Sequence, residues 1–177
     1  MALPEGARLI RLTPDHQFKP FNCGDDDLND FFVNASIPHL NSLLAVTYVI
    51  ENETETICFF SLLNDKISVS DVPQKEQNKW GFKFFSKTGK QYKSHPSVKI
   101  GRYAVTNSFR NKGIGREVMN YIKYLFTDNN RTGCRFITVD AYADSIGFYE
   151  KMGFKFMTKS DRDESERHMY FDLISLT

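Results

Sequence analysis

Between Arg110 and Gly115 the chain reads Arg-Asn-Lys-Gly-Ile-Gly, after a β-branched and aromatic run from Val98 to Val105. Ile114, Val118, Ile122 and Leu125 follow at i, i+4, i+8 and i+11, one stripe of an amphipathic helix. A glycine-bearing turn from strand to helix leaves backbone N–H groups unpaired at the positive end of the helix dipole, which is a setting for an anion. The glycines let that anion approach the backbone closely. The loop fits neither G-x-x-x-x-G-K-[ST] nor G-x-G-x-x-G, so neither the nucleotide P-loop nor the dinucleotide fingerprint is matched.

Other reactive side chains form no comparable pattern. His16, His39, His95 and His168 lack H-x-x-x-H spacing, so no metal is expected. Cys23, Cys58 and Cys134 are odd in number, widely spaced and without a C-x-x-C pair. That argues against a disulfide framework and a zinc knuckle and fits a reducing compartment. Cys134 could carry an acyl group in a ping-pong scheme, but it stands at the entry to a strand with no histidine near it in sequence, and reads as core packing.

The elements that must hold the loop can be read from the apolar periodicity. Arg8 to Leu12 alternates as a first strand before the turn formers Thr13-Pro14-Asp15. Leu28, Phe31, Phe32 and Ala35 share one helical face within Asp25 to Ile37, and the aspartates ahead of them predict a helix start near Asp26. Leu43 to Ile50 and Thr56 to Leu63 have the composition of a hairpin around Glu51-Asn52-Glu53. A polar, Lys-rich run from Asp65 to Pro96 is too long for an ordinary connection, and the stretch 65–97 is treated as a structured excursion. Arg135 to Ala141 is a strand, Ser145 to Met152 a short helix closed by Gly153, and Glu166 to Leu176 a final strand with Met169, Phe171 and Leu173 alternating. The second half is therefore β-α-β-α-β.

At 177 residues with 41% hydrophobic content, the chain suits one domain spanning 1–177. Its 16 Phe and 8 Tyr exclude a charge-dominated disordered polymer. A net charge of +1 means that any nucleic-acid contact must come from a local patch. No run of about 18 apolar residues and no basic-then-apolar leader is present, so a cytoplasmic protein without membrane association is expected.

Arg110-x-x-Gly113-x-Gly115, after a strand ending Tyr103-Ala104-Val105, resembles the coenzyme A-binding motif of the GNAT acetyltransferases. Phe148-Tyr149-Glu150-Lys151-Met152-Gly153-Phe154 resembles that family's second hallmark, in the matching order and with one strand between. The resemblance implies an α/β fold with a mixed, mostly antiparallel twisted sheet, helices on both faces and splayed central strands. It implies acetyl-CoA as co-substrate, with backbone groups of Ala104 and Val105 pairing with the pantetheine arm. The amides of Arg110, Asn111, Lys112, Gly113, Ile114 and Gly115 would take the pyrophosphate, and the charges of Arg110, Lys112 and Arg116 would tune affinity. Tyr149 matches the tyrosine that often protonates the departing thiolate, whose ordinary pKa of about 8.5 makes a modest donor sufficient. Tyr142 and Ser145 stand where the family frequently has Asn and Ala.

No carboxylate lies in Val98 to Val105, where family members often carry a base. His95 and Asp140 are the nearby candidates, each with a structural or solvent-facing alternative. An α-amine acceptor, with a pKa of about 7.7 to 8.0, would need no strong base.

Phe21-Asn22-Cys23-Gly24 followed by Leu28-Asn29-Asp30-Phe31-Phe32 resembles the opening of a GNAT branch containing toxins that acetylate aminoacyl-tRNA. That resemblance implies a homodimer, a ribbon-helix-helix antitoxin partner and tRNA as acceptor. Such a substrate needs cations for phosphates and aromatic surfaces for stacking. Lys75, Lys79, Lys83, Lys87, Lys90 and Lys93 interleave with Trp80, Phe82, Phe84, Phe85 and Tyr92; Trp80, Lys83 and Lys87 are the candidate substrate residues. Alternatively the aromatics form a satellite core under a solvated lysine face. Three readings follow: an N-acetyltransferase acting on a primary amine, a toxin acetylating the α-amine of aminoacyl-tRNA, and a non-catalytic module binding CoA or RNA.

Overall fold

Three consecutive aspartates decide where the first helix starts. Asp25 takes an extended backbone and its Oδ1 accepts the Leu28 N–H at 3.0 Å, an N-cap bond worth about 1 kcal/mol. Asp26 and Asp27 then set negative charge against the positive helix end. The computed structural model describes residues 3–72, 75, 93–128, 132–159 and 164–177. In it the helical stretch runs as α1 (Asp26–Asp30), a π turn (Phe31–Ala35) and α2 (Ser36–Asn41). The helix expected to end at Ile37 thus continues to Asn41 and widens in its middle. Ser36 N–H reaches back to the Phe31 carbonyl, and Pro38 has no N–H to offer the Asn34 carbonyl. The Ser36 hydroxyl also donates to the Phe32 carbonyl at 2.6 Å.

Leu43 and Leu44, expected to open a strand, belong to the turn that ends α2. Leu43 has φ 57 and is 92% exposed, and the Leu43 and Leu44 N–H groups bond the Leu40 and His39 carbonyls. The described residues form seven strands: β1 (Arg8–Arg11), β2 (Val46–Glu51), β3 (Thr56–Ser68), β4 (Ser94–Val105), β5 (Phe136–Tyr142), β6 (Lys155–Phe156) and β7 (Glu166–Asp172). Their order in the sheet is β1-β2-β3-β4-β5-β7-β6. β1–β2, β2–β3, β5–β7 and β6–β7 are antiparallel. Between β4 and β5 runs α3 (Ile114–Leu125), the kind of crossover that parallel neighbours require. The short α4 (Ile146–Lys151) follows β5. This is the expected α/β fold with a mixed, mostly antiparallel sheet.

The excursion is smaller than its sequence suggests. β3 runs past Leu63 to Ser68, and β4 begins at Ser94 instead of Val98. A one-turn 3-10 helix, Val69–Asp71, is capped reciprocally by Ser68 and Asp71, and the Val69 N–H bonds the Lys93 carbonyl at 2.9 Å. Trp80, Lys83 and Lys87, with Lys79, Lys90, Phe82, Phe84, Phe85 and Tyr92, lie outside the described residues. The final strand stops at Asp172, whose side chain accepts the Ile174 N–H, and Leu173–Leu176 form a 3-10 turn. The two-residue β6 was not expected at all.

By compactness the chain divides into two units, Met1–Leu63 with Ile100–Leu125, and Asn64–Lys99 with Phe126–Thr177. In the first, Leu12, Cys23, Phe31, Phe32, Val49, Phe59 and Ala104 form a buried cluster. Its centre is Phe32 stacked on Phe59 with centroids 4.7 Å apart, and Phe18 and Phe21 meet Phe32 edge-on. In the second, Ile67, Val72 and Phe136 are buried together, with Met157 and Tyr170 packed against them.

Candidate active site

The loop after β4 reverses through two left-handed residues, Asn111 at φ 61 and Gly113 at φ 84. Glycine takes that conformation freely, and asparagine is among the few other residues that tolerate it. Glu117 N–H makes the first helical bond, to the Gly113 carbonyl at 3.2 Å. The N–H groups of Ile114, Gly115 and Arg116 therefore precede any i−4 partner in α3. A Cβ added at Gly113 would meet nothing within 4 Å, so the space over the turn is open. Arg110, Asn111, Lys112 and Arg116 are exposed. Lys112 Nζ sits 4.7 Å from the Phe109 ring centroid, while the Arg110 guanidinium donates to the Cys23 carbonyl.

At the end of β4 the Thr106 N–H bonds the Ile57 carbonyl on β3 at 2.9 Å. Peptide groups alternate in direction along an extended chain, so Val105 presents its N–H and C=O to the opposite edge. Ala104 shares the β3 direction of Thr106, and its methyl is buried in the first core cluster. The adjacent pair Ala104 and Val105 therefore faces opposite sides of β4, and the residue that shares the side of Val105 is Tyr103. The Tyr103 hydroxyl donates to the Gly115 carbonyl at 2.8 Å, fastening the strand to the helix start.

A second segment supports the loop, and reading the sequence assigned it no part in the site. The Asn22 carbonyl accepts the Asn107 N–H at 2.9 Å and the Thr106 hydroxyl at 3.1 Å. Asn29 Oδ1 accepts the Cys23 N–H at 3.0 Å, and Asn29 Nδ2 donates to Asn22 Oδ1 at 3.1 Å. Gly24 turns at φ 77, and a Cβ there would come 3.4 Å from the Asn107 side chain. The sequence signal for this support is the pair Asn22 and Asn29 on either side of Gly24, within the segment that resembles the toxin-containing branch.

In the second unit, Tyr149 on α4 is 5% exposed. The rings of Phe148 and Phe154 flank it, each 5.3 Å away and steeply inclined. Its carbonyl accepts the Met152 and Phe154 N–H groups at 3.0 Å. Gly153, at φ 83, ends the helix where a Cβ would lie 3.1 Å from the Phe171 ring, so the hallmark's glycine answers to both backbone and packing. Burial pushes the Tyr149 hydroxyl above its ordinary pKa. Tyr142 and Ser145, the departures from the family pattern, form the turn ahead of α4, where the Ser145 hydroxyl donates to the Tyr142 carbonyl at 2.9 Å.

Neither candidate base is well placed for the task. Asp140 accepts from Lys99 Nζ with one oxygen and pairs with His168 Nδ1, its cross-strand partner, through the other. Both carboxylate oxygens are thus already engaged by neighbouring side chains. His95 stands at the opposite end of β4 from Val105, edge-on to Phe136 at 5.7 Å. Burial lowers its pKa first and the Arg135 charge second, with Asp172 opposing. Burial pushes the Cys134 thiol up to about 11, which keeps it protonated and unreactive at neutral pH. Among the described residues no cluster of His, Cys, Asp or Glu could hold a metal ion, and no helix is long and apolar enough to cross a membrane.

Residues 46–156 match the family model described as the acetyltransferase (GNAT) domain. No curated protein matches the chain. Among solved structures, the chain is similar to AtaTR bound with AcCoA, at 22% identity over 98% of this chain and 97% of that one, with a TM-score of 0.76. It is similar to AtaT complexed with acetyl-methionyl-tRNAfMet, at 21% identity over 96% of each chain and a TM-score of 0.71. A third is a Tyr-to-Phe mutant of the AtaT toxin bound to the C-terminus of the antitoxin AtaR, at 19% identity over 97% and 96%, with a TM-score of 0.73. At these identities the likeness is one of fold.

Proposed function

The chain belongs to the GNAT acetyltransferase family and is an acetyl-CoA-dependent acyltransferase; we propose that it transfers the acetyl group to a primary amine by direct attack. The observation that carries this reading is the left-handed turn at Asn111 and Gly113, which opens α3 with unpaired amides under open space. Those amides take the pyrophosphate, aided by the charges of Arg110, Lys112 and Arg116, while Val105 offers its backbone to the pantetheine arm.

In the transfer, the amine nitrogen bonds the acetyl carbon and the carbon–sulfur bond breaks. Tyr149 gives its proton to the departing thiolate, the amine's surplus proton leaves to water, and Tyr149 regains a proton from water before the next turnover. Burial makes Tyr149 a weaker acid, and a thiolate has enough proton affinity, with an ordinary pKa of about 8.5, for a loaded donor to be useful. With Asp140 occupied and His95 at the opposite end of β4, an acceptor already partly deprotonated at neutral pH is favoured. An α-amine answers that description.

A more specific second reading is that the α-amine belongs to aminoacyl-tRNA and that the protein is a toxin held in check by an antitoxin. The similarity in fold to AtaT, along nearly the whole of both chains, supports it. The test is transfer of labelled acetyl from acetyl-CoA into a bacterial extract fractionated into RNA, protein and small molecules, with Tyr149→Phe as control. Label released from RNA by alkali as an N-acetylated amino acid supports the toxin reading. Label confined to protein or small amines leaves an N-acetyltransferase with another acceptor, and no incorporation at all would reject the proposal.

A further inference from the structure

Asn22 and Asn29 stand on one side of the cofactor loop, and the hydrogen bonds between them lead to a charged side chain of that loop. Asn29 Oδ1 holds the Cys23 N–H at 3.0 Å and the Cys23 thiol at 3.3 Å. Asn29 Nδ2 meets Asn22 Oδ1, which also accepts the Gly24 N–H at 2.8 Å. The Asn29 amide thus holds Cys23 directly and the Asn22 side chain, which in turn holds Gly24. The two carbonyls this exposes on the loop side are both used: that of Asn22 by Asn107 and Thr106, and that of Cys23 by the Arg110 guanidinium. Cys23 itself is 1% exposed, so its carbonyl is an anchor with little freedom.

We infer that Asn29 is a positioning residue for acetyl-CoA binding, acting through the Cys23 carbonyl to hold Arg110 ready for the cofactor's phosphates. The inference rests on the acetyl-CoA reading above and adds to it the device that orders the loop's first cation. An arginine fork has five N–H donors. One bond to a fixed carbonyl sets the plane of the guanidinium and leaves the other donors for an anion. Side-chain entropy that a free arginine would lose on binding is then already lost, which is preorganisation of the site. A bond from Arg110 to a neutral carbonyl does not cancel its charge, as a carboxylate there would.

The test is calorimetric binding of acetyl-CoA to the full chain, with thermal melting as a check on folding. Asn29→Ala should raise Kd about fivefold, and Arg110→Ala about tenfold or more. The double variant should lose clearly less than the product of the two single losses, because the route through the Cys23 carbonyl is gone once Arg110 is removed. Should Asn29→Ala melt early, Asn29→Gln displaces the oxygen while keeping the amide and should give the same non-additive loss. Losses that multiply in the double variant, or an Asn29→Ala protein that binds as the parent does, would overturn the inference while leaving the acetyl-CoA reading intact. A parent protein that does not bind acetyl-CoA would overturn both.

Discussion

The hydroxyl of Tyr103 donates to the carbonyl of Gly115 at 2.8 Å, joining the last residues of β4 to the first turn of α3 across the cofactor loop. A side-chain bond of this kind contributes about 1 kcal/mol. Its effect should fall on the loop, since both ends of the loop are tied by it. Tyr103→Phe keeps the ring and removes the donor. Acetyl-CoA affinity should fall about three- to tenfold, with little change in the melting temperature. Affinity unchanged in a titration of the variant would mean that the loop is set without this bond.

Gly113 turns at φ 84 with nothing within 4 Å of where a Cβ would stand. Gly113→Ala therefore meets no steric obstacle outside its own backbone. Its cost is the left-handed conformation, about 1–2 kcal/mol. That strain can be relieved by leaving the left-handed region, which would turn the amides of Ile114 and Gly115 away from the anion. The variant should fold, with acetyl-CoA affinity lowered about tenfold or more. Asn111→Gly should bind as well as the parent, because glycine takes φ 61 more easily than asparagine does. Equal binding by Gly113→Ala would show that the turn does not present the amides.

How much of this was legible in the sequence depended on the range of the interaction. Leu28, Phe31, Phe32 and Ala35 announced a helical face because their period is local, and the loop announced itself through glycines set between a strand and an amphipathic helix. The π turn went unseen because a 3.6-residue pattern does not distinguish an i−5 bond from an i−4 bond. Leu43 and Leu44 misled because apolar type alone does not separate a strand's first residues from an exposed turn. β6 is too short to carry a period, and Leu173 kept the alternation of β7 although the Asp172 side chain had already capped a new turn. The support beneath the loop was hidden for another reason. Thr106 meets Asn22 across 84 positions, and Arg110 meets Cys23 across 87, distances over which one sequence gives no pairing signal.

Glu51 is 2% exposed, with Arg8 at 3.3 Å, Lys19 at 3.1 Å and His16 at 3.5 Å. The partners should not count equally. The Arg8 side chain is 71% exposed, so Arg8→Ala should cost no more than about 1 kcal/mol. Lys19 is largely covered and also donates to the Asn52 carbonyl. Lys19→Met leaves a buried carboxylate short of charge and should cost about 3 kcal/mol. Pairing it with Glu51→Leu should recover much of that loss, because an apolar replacement of both partners removes the desolvation problem. Urea midpoints of the three variants decide the matter, and equal losses from Arg8→Ala and Lys19→Met would refute the ranking.

Tyr149 offers a test in which chemistry and stability can be read from the same substitution. Its hydroxyl, buried among Phe148 and Phe154, holds its proton above the ordinary value of about 10. The donor should therefore stay loaded throughout the neutral and mildly alkaline range. Tyr149→Phe should slow turnover at least about tenfold while leaving acetyl-CoA affinity near that of the parent. In the unfolded chain the same hydroxyl ionises near pH 10, so above that pH the native state binds a proton that the unfolded state has released. The stability this represents is complete below about pH 10 and is lost as pH rises toward the native value. Urea midpoints of the parent should thus fall more steeply between about pH 10 and 11.5 than those of Tyr149→Phe. Tyr121 and Tyr170, which burial also pushes up, remain in both proteins and cancel in the comparison. Parallel alkaline losses would contradict a buried, proton-holding Tyr149, and undiminished turnover would remove it from the reaction.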